Sequence, residues 1–147
     1  MIYNLGSINI DHFYRVPHFP VPGETLSAVD YTMGLGGKGA NQSAAAAKAG
    51  AKVRHIGAVG PEGGWAIDRL AGWGVDVTHV ARLDIATGHA IINIDASAEN
   101  TIVLYPGANW AMPLEGVRAA LADATADDSL ILQNETAHQA EALGERA

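Results

Sequence analysis

Short apolar runs alternate with helical patterns along the chain. Residues 2–10 form an apolar-rich run that predicts a central strand, with Asn9 and Asp11 delivered at its carboxyl end. Residues 52–59 and 130–132 predict two further strands of the same sheet. Because ligands of α/β sheets gather at the carboxyl ends of strands, Asn9 and Asp11 are candidate ligand-binding residues.

Helices are predicted between these strands. An alanine block at residues 44–47 has high helix propensity, and Gly50 follows where a glycine commonly ends a helix, so a helix is expected over residues 38–49. Two further helices are indicated by apolar residues at three- and four-residue spacing: Ile67, Leu70 and Ala71 in one, and Leu114, Val117 and Leu121 after Pro113 in the other.

A second, smaller sheet is predicted outside this core. Residues 25–33 alternate between apolar and polar positions, as in a strand covered on one side. Residues 88–95 and 101–105 are extended runs around a short loop that fits a hairpin. We therefore expect an α/β fold with a partial doubly wound, mostly parallel sheet, helices, and a small β-sheet lid made of segments of about 12–34 and 78–106.

Composition and charge narrow the possible ligands. The 147 residues carry a formal charge of −7 with no basic run, which argues against nucleic acid and anionic membranes as partners. No apolar stretch approaches the length of about 18 residues that a spanning helix needs. The chain has no cysteine and its six histidines show no ligand spacing, so no metal site is predicted. We expect a cytoplasmic protein that binds a small neutral molecule.

The strongest chemical signal is Gly36-Gly37-Lys38-Gly39-Ala40-Asn41-Gln42, which we call the glycine motif. Glycines let a ligand approach backbone N–H groups, and the helix that follows begins with unpaired donors. Asn9 and Asp11 could be ordinary turn residues, but together with the glycine motif they supply directed hydrogen bonds to hydroxyl groups. The combination predicts a polyol-binding site.

Two phosphate-binding interpretations of the glycine motif fail. Residues 34–39 match G-x-G-x-x-G, yet the preceding segment 25–33 is half polar, whereas the dinucleotide motif follows a buried strand. A P-loop needs Ser or Thr after Gly-Lys, but Gly39 stands at that position.

Further motifs relate the chain to a known family. The glycine motif, Gly6-Ser7-Ile8-Asn9-Ile10-Asp11 and Pro22-Gly23-Glu24-Thr25 occur in the order and spacing found in the N-terminal half of ribokinases. Gly107-Ala108-Asn109 and Leu132-Gln133-Asn134-Glu135 extend the similarity over almost the whole chain. The sequence therefore resembles the sugar-binding half of ribokinases in the PfkB carbohydrate kinase family, although phosphofructokinases of that family share Gly-Gly-Lys-Gly.

The resemblance implies a set of substrate-binding residues. Asn9 and Asp11 are expected to bind sugar hydroxyls on one side, and Glu135 a further hydroxyl. The residues expected to wrap the other side of the ring are Gly37, Lys38, Gly39, Ala40 and Asn41. For Glu135 there are two interpretations, because an acid just after a strand also caps the next helix in many proteins, and both stay open.

The resemblance also implies an activity for a longer protein. Ribokinases transfer the γ-phosphoryl group of ATP to the 5-hydroxyl of D-ribose with Mg²⁺, and a monovalent cation such as K⁺ is expected as well. Their catalytic base belongs to a Gly-Ala-Gly-Asp motif that would lie beyond Ala147. We therefore expect residues 1–147 to be the N-terminal portion of one ribokinase-like domain that lacks its catalytic and nucleotide-binding half.

Other functions remain open at this point. They are a non-catalytic sugar-binding or regulatory module, a PfkB kinase for another sugar or a nucleoside, and a purely structural α/β domain. The predicted lid carries Val29, Tyr31 and Met33 on one face, and together with an unfinished sheet this predicts a homo-oligomer joined through the lid.

Overall fold

Two four-stranded sheets form the framework of the protein in a computed structural model that describes residues 1–144. The core sheet is parallel, with the order β5-β4-β1-β8. Its strands are β1 (Ile2–Leu5), β4 (Val53–Val59), β5 (Val80–Arg82) and β8 (Ser129–Leu132). The second sheet, which we call the lid sheet, has the order β3-β2-β6-β7. Its strands are β2 (Asn9–Arg15), β3 (Asp30–Gly36), β6 (Gly88–Ile94) and β7 (Asn100–Tyr105).

Within residues 1–144, four α-helices pack around the core sheet. They are α1 (Lys38–Lys48), α2 (Gly64–Gly72), α3 (Leu114–Leu121) and α4 (Gln139–Gly144). The first three confirm the predicted helices, and the fourth was not predicted. Short 3₁₀ helices cover Pro61–Gly63 and Gly107–Trp110. None of the helices within residues 1–144 is long and apolar enough to cross a membrane.

The core sheet is buried on both faces. One face packs apolar side chains of β1 and β4 against α3 and α4, with Leu5, Ile56 and Val117 fully buried. The other face packs against α1 and α2, where Leu70 is fully buried. Burial on both faces is characteristic of parallel sheets and explains why the core strands are short apolar runs. Among the described residues, β8 has a paired neighbour on one side only.

The prediction of one strand over residues 2–10 is wrong. The chain leaves the core sheet after β1 and enters the lid sheet at Asn9. The two predicted ligand-binding residues, Asn9 and Asp11, therefore lie on β2 of the lid. We call residues 6–8 the crossover. A Cβ at Gly6 would lie 2.5 Å from the Gly39 Cα, so this bend is possible only without a side chain. The apolar pattern concealed the break because Ile8 is as deeply buried as the strand residues.

The boundaries of the lid also differ from the prediction. Strand β5 pairs with β4, so the first part of segment 78–106 belongs to the core sheet. The first lid segment runs from Asn9 to Gly36, beyond the predicted limits of 12–34. Its second strand, β3, begins at Asp30, later than the predicted strand 25–33. Strand β5 was not predicted because its three residues are too few to show the alternation of apolar and polar positions that marks a strand.

Candidate functional site

A cleft of about 270 Å³ lies between the lid sheet and the start of α1. Its polar lining consists of Asn9, Asp11, Gly37, Lys38, Asn41 and Glu135. Its apolar lining consists of Ala90, Ile92, Ile102 and Leu104. The structure thus brings together all predicted site residues except Gly39 and Ala40 around one space.

Asn9, which lines the cleft, is held by a second asparagine, Asn109. Its Oδ1 accepts a hydrogen bond of 2.8 Å from the Asn109 Nδ2, and Asn109 Oδ1 accepts one of 2.9 Å from the Ile8 backbone. Both asparagines are buried. Because its oxygen is already used, Asn9 presents its amide N–H groups as donors. Sequence reasoning noted Asn109 only within a motif and gave it no part in the site.

Asp11 projects from β2 over the backbone of the glycine motif. A side chain at Gly36 would overlap the Asp11 carboxylate, so glycine is required beneath it. Burial raises the pKa of Asp11, and the nearby His12 opposes that effect. Within residues 1–144, no group donates a hydrogen bond to this carboxylate. A partly buried acceptor without a donor is suited to binding hydroxyl groups of a ligand.

Backbone geometry at the start of α1 requires Gly37. Its φ is 93°, and a Cβ there would lie 2.7 Å from the Ser7 carbonyl oxygen. Gly39 and Ala40 lie beneath the cleft instead of lining it: both are buried, and the Ala40 N–H donates to the Ser7 carbonyl at 2.9 Å. These two residues therefore fix α1 against the crossover.

Glu135 connects the end of β8 to the glycine motif. Its carboxylate forms an ion pair with Lys38, and its Oε2 accepts a 2.7 Å hydrogen bond from the Ser7 hydroxyl. Burial by itself would raise the pKa of Glu135, but hydrogen bonds from Lys38 and Ser7 outweigh it and lower the pKa. The carboxylate is thus an ionised acceptor turned toward the glycine motif, and not toward the first turn of α4.

The apolar wall of the cleft comes from the hairpin of the lid. Ala90 stands beside Asp11 in the register of β2 and β6, and Leu104 pairs with Ala90 across β6 and β7. Ile102 and Leu104 are 58% and 52% exposed. Sequence reasoning missed this wall, although alternation along β6 and β7 would have placed these side chains on the Asp11 face.

The polar groups of the cleft indicate which kind of ligand it suits. Among residues 1–144, no group of three or more His, Cys, Asp or Glu side chains is arranged to hold a metal ion. The polar groups of the cleft are two carboxylates, two amides and one lysine, and this set suits a neutral polyol.

Comparison with known proteins identifies relatives of the chain. The profile of the pfkB family of carbohydrate kinases matches residues 1–141. A ribokinase from Haemophilus influenzae is 44% identical over 135 residues, which are 90% of this chain and 44% of that protein. A deoxyribokinase from Salmonella typhi is 34% identical over 134 residues, which are 89% of this chain and 44% of that protein.

A solved structure has the same architecture. The ribokinase from Cryptococcus neoformans var. grubii serotype A in complex with ADP is similar with a TM-score of 0.78 and 37% identity, over 95% of this chain and 42% of that one. The architecture is thus that of the ribokinase-like α/β fold with a β lid, as predicted. The chain belongs to the pfkB family of carbohydrate kinases, and it spans less than half the length of the curated relatives it matches.

Proposed function

We propose that this chain is the sugar-binding half of an ATP-dependent carbohydrate kinase that converts D-ribose to D-ribose 5-phosphate in the complete enzyme. The observation that carries the proposal is the convergence of Asn9, Asp11, Asn41 and Glu135 on one cleft with an apolar wall. The residues come from β2 of the lid sheet, from α1 and from the loop after β8, so the fold gathers them from distant positions in the sequence.

Each polar group has a distinct part in holding the sugar. The Asp11 carboxylate accepts hydrogen bonds from hydroxyls, and Asn9 donates to a hydroxyl oxygen. Glu135 accepts from a further hydroxyl, which competes with Lys38 and Ser7 for its oxygens. The apolar wall covers the C–H face of the ring and excludes water. A sugar lacking one of the bound hydroxyls leaves a buried polar group unpaired, at a cost of about 1–3 kcal/mol.

The remaining machinery is assigned to the part of the enzyme that follows this chain. Mg²⁺, the monovalent cation and ATP are proposed to bind mainly to that following part. Among residues 1–144, no group of three or more His, Cys, Asp or Glu side chains is arranged to hold a metal ion. A catalytic base beyond Ala147 would remove the proton from the sugar hydroxyl, and Mg²⁺ would neutralise charge on the transferred phosphoryl group. Residues 1–147 alone would bind sugar without phosphorylating it, in the cytoplasm.

Association through the lid sheet is a further part of the proposal. The lid face opposite the cleft exposes apolar side chains, with Tyr31, Met33 and Val103 exposed by 48%, 51% and 68%. A large exposed apolar face commonly marks an interface. A second copy of the chain covers this face, and sedimentation velocity should show a dimer that Met33→Asp dissociates. A monomer at all protein concentrations would contradict this part.

Calorimetric titration of the purified chain tests the sugar assignment. We expect saturable heat with D-ribose, weaker binding of 2-deoxyribose, and none of fructose or adenosine. Asp11→Asn should weaken ribose binding about tenfold or more. Asp68→Asn, which changes an exposed acid on α2, should leave the affinity unchanged. Tighter binding of 2-deoxyribose than of D-ribose would assign 2-deoxyribose as the substrate instead, in line with the deoxyribokinase relative. If neither D-ribose nor 2-deoxyribose gives saturable heat, the proposal is contradicted.

A non-catalytic sugar-binding module is the second candidate, because the chain covers only 44% of the ribokinase relative. Both candidates predict ribose binding. Mixing the chain with the separately produced C-terminal half of a ribokinase, ATP and Mg²⁺ separates them. Formation of ribose 5-phosphate supports the kinase half, and binding without any product supports the module.

A further inference from the structure

Three polar side chains are fully buried beneath the glycine motif and do not line the cleft. They are Asn4 on β1, Ser43 on α1 and His55 on β4, with 0%, 1% and 0% exposure. They lie between the two apolar clusters that pack on the faces of the core sheet, and the Gln133 Nε2 also donates to the Asn4 Oδ1. A buried polar group is costly unless it is hydrogen-bonded, so this cluster needs a physical reason.

The three side chains form one continuous chain of hydrogen bonds. The His55 Nε2 lies 3.0 Å from the Gly6 carbonyl oxygen, and its Nδ1 lies 2.8 Å from the Ser43 hydroxyl. The Asn4 Nδ2 donates to the Ser43 oxygen at 2.8 Å and to the Gly39 carbonyl oxygen at 2.9 Å. These hydrogen bonds therefore connect the carbonyl oxygens of Gly6 and Gly39.

Both ends of this chain belong to backbone that builds the cleft. Gly6 begins the crossover that leads to Asn9, and Gly39 lies in the glycine motif between Lys38 and Asn41. The two glycines are packed so closely that a side chain on either would overlap the other. A shift of α1 along the sheet would therefore break the hydrogen bonds and this contact together.

Every donor in this hydrogen-bond chain has an acceptor in only one protonation state of His55. Neutral His55 with its proton on Nε2 donates to the Gly6 carbonyl and accepts from the Ser43 hydroxyl, which in turn accepts from Asn4. A second proton on the ring would leave the hydroxyl proton of Ser43 without its acceptor. Burial lowers the pKa of His55 to about 4, against the opposing hydrogen bond to Gly6, which fits the neutral form at physiological pH.

We propose that Asn4, Ser43 and His55 are positioning residues that hold the glycine motif at a fixed distance from the Asn9 segment. The hydrogen-bond chain sets the affinity of the cleft for its sugar without touching it. This inference rests on the proposed function for its effect on affinity, but the positioning itself can be measured without a ligand.

Three substitutions separate the parts of the hydrogen-bond chain. Ser43→Ala removes its centre, His55→Phe removes both ring contacts at similar size, and His55→Gln retains a donor near the Nε2 position. We expect Ser43→Ala and His55→Phe to raise the dissociation constant for D-ribose about three- to tenfold, and His55→Gln to raise it less. Val117→Ala, a core truncation in α3, is the control that lowers stability without changing affinity. Unchanged affinity in folded Ser43→Ala and His55→Phe would overturn the proposal.

Nuclear magnetic resonance of the ligand-free chain gives a second test. The ¹⁵N resonances of His55 should report the Nε2–H tautomer, and Ser43→Ala should shift the backbone amides of Asn9 and Asn41. The Val117→Ala control should leave those amides in place. If the wild-type chain binds no sugar, the proposed function fails, whereas these amide shifts still decide the positioning proposal. Amides of Asn9 and Asn41 that do not move in Ser43→Ala would overturn it.

Discussion

Replacing Gly39 by alanine tests the close contact between α1 and the crossover. A Cβ at this position would lie 2.5 Å from the Ser7 nitrogen and would overlap Gly6, whereas ordinary van der Waals contact begins at 3.4 Å. Both neighbours are backbone atoms, which cannot rotate away as a side chain can. The start of α1 must therefore move by roughly an ångström in Gly39→Ala.

Two opposing effects determine the change in stability. Alanine is favoured over glycine inside a helix by about 0.8–1.0 kcal/mol. Overpacking a tight site costs about 1–3 kcal/mol, and the upper part of that range applies here because backbone has to shift. We expect Gly39→Ala to lower the free energy of unfolding by about 1–2 kcal/mol. It should also weaken ribose binding, because the glycine motif moves away from Asn9.

The matched control is the same substitution at Gly72, the last residue of α2. A Cβ there meets no atom within 4 Å, so only helix propensity acts and stability should rise by up to about 1 kcal/mol. Urea unfolding of both variants measures the two free energies, and calorimetry measures ribose affinity. A Gly39→Ala variant as stable as the wild type, with unchanged affinity, would refute the reasoning.

Three further substitutions test individual charges. Burial raises the pKa of Asp11, so its ionised form costs stability once the pH rises through the folded-state value. Asp11→Asn should therefore raise the urea midpoint at pH 7 while weakening ribose binding about tenfold or more. Burial opposes ionisation of Glu135, but its hydrogen bonds lower the pKa, so the stability it contributes is lost as the pH falls through the acid range. Glu135→Gln should flatten the fall of the urea midpoint as the pH drops below the ordinary glutamate pKa of about 4.3. Arg54 donates to Asp76 at 2.8 Å and to Asp123 at 2.6 Å, so Arg54→Ala should lower the free energy of unfolding by about 1–3 kcal/mol. The exposed Arg15→Ala should change it by less than about 0.5 kcal/mol.

Local patterns were sufficient to predict most of the secondary structure. The helices appeared in apolar spacing and alanine content, because a helix that packs on one face needs that spacing. The hairpin of β6 and β7 appeared because its two strands flank a short polar loop. The glycine motif predicted a place where a ligand approaches backbone. In the structure, three residues of the motif line the same cleft as Asn9, Asp11 and Glu135.

Features that depend on contacts between distant residues could not be predicted from local sequence patterns. The break after β1 lies within a continuous apolar run, because the crossover is buried like the strands on either side. Sequence reasoning noted only that His55 shows no metal-ligand spacing. Its partners, a serine in α1 and the Gly6 carbonyl of the crossover, are distant in sequence. A buried histidine and an exposed one look alike until the strands are paired.

The crossover is the element on which the whole cleft depends. It leads into Asn9 on the lid sheet, its Ser7 hydroxyl holds Glu135 from the core side, and its Ser7 carbonyl accepts from the start of α1. A change at the far end of the lid can disturb one residue of the cleft lining, whereas a change at the crossover reaches Asn9, Glu135 and the start of α1 together. A larger loss of ribose affinity in Gly39→Ala than in Gly72→Ala would therefore show that the cleft is set by how closely α1 packs on the crossover, and not by the stability of the fold as a whole.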